Sequence, residues 1–295
     1  MKDVVVRRDD NWKKLQQYIL DEREETKITG PGGTRLWGEE RDYTWFIREG
    51  YFIRSPVKVD GAVIGEGERR KAEDDYLRRV KRFDERATAR GRQGAPADGP
   101  ILGDENGETP TSVDGLIRQS RQPRFVSSSY FLRFKFDEGR YALAGREKFE
   151  GRDVLRVEYY PTKLYGGDEQ RGRRGRGRAE PTPKERQQQA DIQRLMNKVA
   201  LITMWIEPST HQIVKYTFDN VDFDFLPLPW LVKVDSLKAS MTMSQAFPNV
   251  WLPKDMDINA ALTLAIGQFA FRQAVAYRDY REANVASKVI IPGAR

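Results

Sequence analysis

The alternation of apolar and polar residues near the C-terminus predicts an antiparallel β-hairpin. Between residues 256 and 264 the even positions are apolar, and after Gly267 the apolar positions become odd. A two-residue turn at Ile266-Gly267 explains this change, because it brings the apolar side chains of both strands onto one face. The predicted pairs are Leu264 with Phe269, Leu262 with Phe271, Ile258 with Val275 and Met256 with Tyr277.

Further turn signals predict that such hairpins recur along the chain. Glycine follows glutamate at Glu49-Gly50, Glu138-Gly139 and Glu150-Gly151, and Gly30-Pro-Gly-Gly33 is typical of another hairpin turn. Strand-like alternation covers residues 22–64, resumes at Tyr130 and dominates from Leu201 to Ile291. We therefore expect an antiparallel sheet with one apolar face.

Four segments have the spacing of amphipathic helices. The first follows Asp10, an expected N-cap, and the second covers residues 66–90. A short third helix is expected near Val113–Ser120, and Thr182-Pro-Lys-Glu185 resembles a capping box that opens a fourth, up to Val199. The apolar positions of the first two are Trp12, Leu15 and Ile19, and Ala72, Tyr76, Val80, Phe83 and Ala87. The fold class predicted is α+β, mainly β, in which a sheet is covered by several amphipathic helices.

Composition narrows the possible functions. The chain has 295 residues, one histidine and no cysteine. It therefore has no thiol nucleophile, and neither a cysteine-based nor a multi-histidine metal site can form. No apolar run approaches the roughly 20 residues of a membrane-spanning helix. Residues 1–295 are interpreted as one domain with mobile insertions near 91–110 and 166–181, where no apolar period is found.

The net charge of +7 depends largely on one short segment. Five arginines lie between residues 171 and 178, and without them the charge is +2. This segment is the candidate loop for an anionic partner, either a lipid headgroup or a polyanion. Nucleic acid is the less favoured partner, because no aromatic residues alternate with the arginines. The loop arginines are Arg171, Arg173, Arg174, Arg176 and Arg178.

Signals of catalysis are weak. Asp222 and Asp224 would share one face of a strand, but alternation with Phe223 and Phe225 is typical of a solvent-facing edge. His211 lies in a predicted turn, and no nucleophile, base and orienting group occur together. We predict no enzyme, no cofactor and no metal site.

The apolar face of the sheet is the remaining candidate site. Methionine mixed with small residues leaves adaptable space for an acyl chain, and the alternative is a face filled by its own side chains. Periodicity does not distinguish these two possibilities. The candidate ligand-binding residues are Met204, Ile206, Leu237, Met241, Met243, Leu262, Leu264, Phe269 and Phe271.

Three stretches resemble the outer-membrane lipoprotein-sorting (LolA/LolB-like) proteins of the bacterial periplasm. Residues 141–161 are similar to a strand–turn–strand unit that ends in proline. Residues 201–215 are similar to a hairpin in which Trp205 and Glu207 hold the characteristic places, and residues 43–54 resemble the early β-meander. The resemblance implies an incomplete, curved antiparallel β-barrel with a helical lid that binds acyl chains without catalysis.

The function expected from this resemblance is a periplasmic carrier for lipid or lipoprotein acyl chains, acting as a soluble monomer. Periplasmic residence would require a leader that is absent from this chain, and without any leader the protein would be cytoplasmic. The first alternative is an envelope interaction or sensor module that uses a filled half-barrel as a scaffold for a protein partner. The weaker alternative is RNA or polyanion binding through the arginine–glycine loop.

Overall fold

The computed structural model describes residues 1–15, 17–89, 139–161, 200–220, 232–264 and 267–283. These residues form two α-helices, α1 (Lys2–Leu15) and α2 (Glu66–Ala89). The strands are β1 (Tyr18–Thr29), β2 (Arg35–Arg48), β3 (Tyr51–Val59), β4 (Ala62–Val63), β5 (Gly139–Phe149), β6 (Arg152–Pro161), β7 (Ala200–Glu207), β8 (Gln212–Asn220), β9 (Val232–Phe247), β10 (Val250–Leu264) and β11 (Gly267–Glu282).

All eleven strands belong to one curved antiparallel sheet that is not closed. Its order is β4-β3-β2-β1-β11-β10-β9-β8-β7-β6-β5. Consecutive strands pair with each other, except that β4 and β5 form the two edges of the sheet. The first and last strands, β1 and β11, also pair and so join the N-terminal and C-terminal parts of the meander. The prediction of a mainly β fold with an incomplete antiparallel barrel is confirmed at this level.

Tight turns at the predicted X-Gly positions connect several of these strands. Glu49 and Gly50 have φ of 54° and 80°, and Glu150 and Gly151 have φ of 48° and 80°. Two consecutive left-handed residues are typical of the hairpin turn that matches the twist of the strands it joins. The prediction at Glu138-Gly139 is wrong for the glycine, because Gly139 begins β5 and pairs with Pro161.

The register of the C-terminal hairpin differs from the predicted one by two residues. Leu264 pairs with Gly267 and Leu262 pairs with Phe269. A shift of two keeps every side chain on its predicted face, because the side-chain period of a strand is two. The hairpin and its apolar face are therefore confirmed, and the individual pairs are wrong.

Helix α1 lies earlier in the chain than predicted. It begins at Lys2 and ends at Leu15, so Asp10 is inside the helix and Ile19 is in a strand. Among its side chains that the structure describes, which do not include Trp12, the buried ones are Val4, Arg8, Asn11 and Leu15, and they recur at helical spacing. Two of these four residues are polar, which is why apolar periodicity did not detect the stripe.

Helix α2 agrees with the prediction in extent and rests on β3. Leu77 packs with Tyr51 and Ile53, and Ser55 Oγ donates a hydrogen bond to the buried Glu73 carboxylate at 2.5 Å. The expectation of several covering helices is not borne out, since the described residues contain α1 and α2 only. The helices predicted at 113–120 and after residue 182 lie outside the described residues.

Candidate functional site

One row of paired side chains crosses the sheet from β5 to β1. The register joins neighbours strand by strand, so paired residues share a face. Six steps of about 4.8 Å make this apolar row roughly 29 Å long. Its members are Leu143, Val157, Met204, Tyr216, Met241, Met256 and Val275, and it reaches Glu24 on β1.

The candidate ligand-binding residues lie in or beside this apolar row. Met204 and Met241 belong to it and are fully buried, and six further candidates are between 2% and 9% exposed. Those six are Ile206, Leu237, Met243, Leu262, Phe269 and Phe271. Leu264 is the last residue of β10, two positions after Leu262, and its backbone pairs with Gly267 of β11. The candidates thus come together on one face, as the alternation predicted, and that face is filled by side chains.

Helix α1 covers the middle of the apolar row. Val4 and Leu15 belong to the same buried cluster as the row. Asn11 Nδ2 donates a hydrogen bond to Gln212 Oε1 at 2.7 Å, at the start of β8. Burial raises the pKa of the Tyr216 hydroxyl, and the nearby Arg8 guanidinium opposes this shift. These contacts place α1 over β8 as a helical cover of the apolar row.

The apolar row does not end in a polar rim at β5. Leu143 and Tyr141 face the same side as Val157 and Tyr159, their partners on β6. Leu143 is 63% exposed and Tyr141 is 38% exposed, whereas Tyr159 is fully buried. The face therefore continues from the buried centre to large apolar side chains that meet solvent at an edge strand.

At the other end, the row meets a buried ionic cluster that the sequence analysis missed. Arg54 Nη2 on β3 donates to Glu22 Oε1 and, at 2.5 Å, to Glu24 Oε2. Trp45 Nε1 donates to Glu22 Oε2 at 2.6 Å, and the Arg54 guanidinium stacks 3.5 Å above the Tyr43 ring. We call Glu22, Glu24 and Arg54 the ionic triad.

Burial controls the electrostatics of the ionic triad. It raises the pKa of the Glu22 carboxyl above its ordinary value, although the attraction of Arg54 and the bond from Trp45 oppose this. The two carboxylates hold the pKa of Arg54 well above its ordinary value despite its burial. Arg54 is therefore a permanent cation shared by two buried acids.

The remaining sequence candidates are scattered. His211 is an exposed turn residue with φ of 55°. Trp205 donates to Glu147, and Glu207 accepts hydrogen bonds from Arg152 at 3.0 Å and from Thr210 at 2.6 Å. Through these bonds Trp205 and Glu207 connect β7 to β5, to β6 and to the turn that follows β7. Asp222 and Asp224, the arginine–glycine loop, and the insertions near 91–110 and 166–181 lie outside the described residues.

A separate depression of about 530 Å³ lies beside α1 rather than on the apolar face. It is lined mainly by charged and polar side chains, including Asp3, Arg7 and Asp10 of the helix and Thr210 and His211 of the turn. In the part of the chain described by the structure, no three metal-binding side chains are grouped. No helix of that part is long and apolar enough to cross a membrane.

No family model matches the chain, and no curated protein matches it either. Three solved structures are similar over nearly the whole length. A Vibrio parahaemolyticus domain named for outer membrane lipoprotein sorting has a TM-score of 0.34 at 11% identity, and covers 96% of this chain and 94% of its own. A DUF1329 family protein of Desulfovibrio piger has a TM-score of 0.33 at 11% identity, covering 97% and 92%.

The third structure is a LolA superfamily protein of Nitrosomonas europaea. Its TM-score is 0.32 at 9% identity, and the match covers 98% of this chain and 96% of that one. Two of the three structures bear the name of the family that residues 43–54, 141–161 and 201–215 resemble. The class defined by fold and site is an open, antiparallel sheet with a continuous apolar face and a helical cover.

Proposed function

We propose that this chain is a non-catalytic periplasmic carrier that binds the acyl chains of lipids or lipoproteins along the apolar row. The observation that carries the proposal is the exposed apolar end of the row at β5. A filled core would be expected to end in polar side chains, because exposed leucine and tyrosine at an edge strand favour association. Here Leu143 continues the buried methionines to the surface.

The composition of the row suits a ligand of variable shape. Met204, Met241 and Met256 are unbranched side chains that can change rotamer and fill or vacate space. Each acyl methylene that they cover contributes about 0.8 kcal/mol. Entry of a chain requires these side chains and α1 to move, so α1 acts as the lid in this proposal. The carrier works as a monomer.

The experiment is a titration of the full chain with a fluorescent fatty acid. Leu143→Asp places a charge where the ligand would enter, and we expect affinity to fall at least about tenfold, since one buried leucine contributes about 1.5–3 kcal/mol. Ala142→Asp is the matched control, because Ala142 is the exposed neighbour on the opposite face of β5. Equal affinities of the two variants would contradict the proposed entrance, and no saturable binding by the unmodified chain would contradict the carrier function.

A second candidate is the envelope interaction module. The near-complete burial of Met204 and Met241 favours it, because a filled face can serve as a rigid scaffold. In that case the fatty acid does not bind, and Met241→Leu, which keeps the volume of the face, leaves partner binding unchanged. Saturable acyl binding would exclude the filled scaffold.

A further inference from the structure

The ionic triad contains two acidic side chains but only one basic side chain, and all three are buried. Two carboxylates share one nitrogen of one guanidinium, and the side chains of Glu22, Glu24 and Arg54 are 2%, 6% and 1% exposed. Burying charge is costly unless each charge is compensated. With both acids ionised, the triad carries one uncompensated negative charge.

The groups packed around the triad do not supply the missing positive charge. From β1, Thr26 Oγ1 donates to Glu24 at 3.3 Å. From β2, Trp45 and Tyr43 are neutral. The next charged pair of that face is Glu39 and Arg41, which are held together at 2.5 Å. Arg41 lies directly opposite Glu24 and donates to the Tyr43 hydroxyl at 3.3 Å, but the charge of Glu39 offsets its own.

Strand β11 also contributes only neutral groups. Tyr277 pairs with Glu22, and Val275 pairs with Glu24. The Tyr280 hydroxyl donates to the Pro253 carbonyl at 2.6 Å, and burial holds the pKa of Tyr280 well above its ordinary value, so it stays neutral. Counted over the triad together with Glu39 and Arg41, three acids face two cations, so one negative charge among these described residues remains uncompensated.

We propose that Glu22 and Glu24 form a proton-binding site, in which uptake of one proton balances the ionic triad and tightens the packing of β1, β2 and β3. Glu22 is the acceptor, because it is the more deeply buried acid. Once Glu22 is neutral, Glu24 and Arg54 remain as one balanced pair. The proposal concerns the three N-terminal strands and does not depend on acyl binding.

The sign of the pH effect follows from the raised pKa of Glu22 in the folded state. Between the unfolded and the folded pKa, the native chain holds a proton that the unfolded chain has released. The stability contributed by this proton is complete below the unfolded pKa and is lost as pH rises through the folded pKa. Within that window the unfolding equilibrium constant changes by up to about tenfold per pH unit.

The direct experiment is an NMR titration of the glutamate side-chain carboxyl carbons in the unmodified full chain. Glu22 is assigned as the signal lost in Glu22→Gln, and its apparent pKa is compared with that of Glu25 on the outer face of β1. We expect Glu22 to titrate at a higher pH than Glu25, whose pKa is lowered by its bond to Lys27. An ordinary or lowered pKa for Glu22 would overturn the proposal.

A second measurement uses amide hydrogen exchange of β1–β3 between pH 5 and 8, corrected for intrinsic exchange. The unmodified chain and Glu25→Gln should lose protection as pH rises, whereas Glu22→Gln, which keeps the shape of the neutral acid, should remain protected. Equal pH dependence in Glu22→Gln and Glu25→Gln would contradict the proposal. If Glu22→Gln fails to fold, the signal is assigned by through-bond correlation to the Glu22 amide, and the titration decides.

Discussion

Removal of the cation from the ionic triad tests the buried electrostatics most sharply. Arg54→Met keeps much of the side-chain volume but leaves Glu22 and Glu24 without their shared guanidinium. Arg54 is 2% exposed, and loss of one partner from a buried pair destabilises a protein by about 3–5 kcal/mol. We expect a loss of this size in the free energy of unfolding at pH 8.

The same variant should recover stability on acidification. Without Arg54, its attraction no longer opposes the effect of burial on the pKa of Glu22, so that pKa rises further in the folded state and the native chain binds more protons than the unfolded chain. The penalty of Arg54→Met is therefore largest at pH 8 and smaller at pH 5. The triple variant Arg54→Met/Glu22→Gln/Glu24→Gln has no charge left at the three triad positions, and it should lie within about 2 kcal/mol of the unmodified chain.

Urea unfolding followed by tryptophan fluorescence measures these differences, provided that the slope of the transition is unchanged. Arg23→Met is the matched control, since Arg23 pairs with Glu40 on the exposed face of the same strands. We expect it to leave the unfolding curve unchanged at both pH values. If Arg54→Met unfolds like the Arg23→Met control at pH 8, the triad does not stabilise the sheet.

Three further predictions concern packing and turns. Met241→Ala, at a fully buried position, should cost about 2–5 kcal/mol in urea unfolding, and a cost below 1 kcal/mol would indicate that the face already contains free space. Gly151→Ala should cost about 1–2 kcal/mol, because Gly151 has φ of 80° beside the left-handed Glu150; an unchanged melting curve would argue against this turn. Ser55→Ala removes the hydrogen bond to buried Glu73 and should cost about 1–3 kcal/mol, with faster amide exchange in α2; unchanged exchange there would show that the bond does not hold the helix.

The sequence predicts the hairpins well because their signals are local. X-Gly turns and changes of parity identify strands without knowledge of distant partners. The C-terminal register nevertheless differs by two residues, since the alternation in the sequence fixes the face of each side chain but not whether Gly267 or Phe269 lies opposite Leu264. This error does not change which side chains lie on the apolar face, so Met204, Met241 and Leu262 are still grouped there.

The features that the sequence does not reveal are those in which polar residues are buried. In β1 the even residues Glu22 and Glu24 are buried, but the odd residues are charged as well, so no amphipathic contrast is present. One signal was available, because Leu20 and Ile28 share the parity of the two acids. Arg54, the partner that makes this burial possible, lies two strands away, and pairing over that distance depends on tertiary structure.

The same reasoning applies to α1. Arg8 and Asn11 complete its buried stripe because Asn11 meets Gln212, a residue about two hundred positions away. Apolar periodicity instead favoured a later start at Asp10. Because two of the four buried positions are polar, the apolar pattern alone placed the predicted helix too late in the chain.

Photo-crosslinking of the full chain with a diazirine-labelled fatty acid tests the central claim most directly. Mass spectrometry identifies the labelled peptides, and an excess of unlabelled fatty acid shows whether labelling saturates. We predict saturable labels on β5, β7 and β9, at Leu143, Met204 and Met241 or their neighbours on the apolar row. Labels confined to the outer face of the sheet or to α2, or labels that excess fatty acid does not displace, would contradict the account.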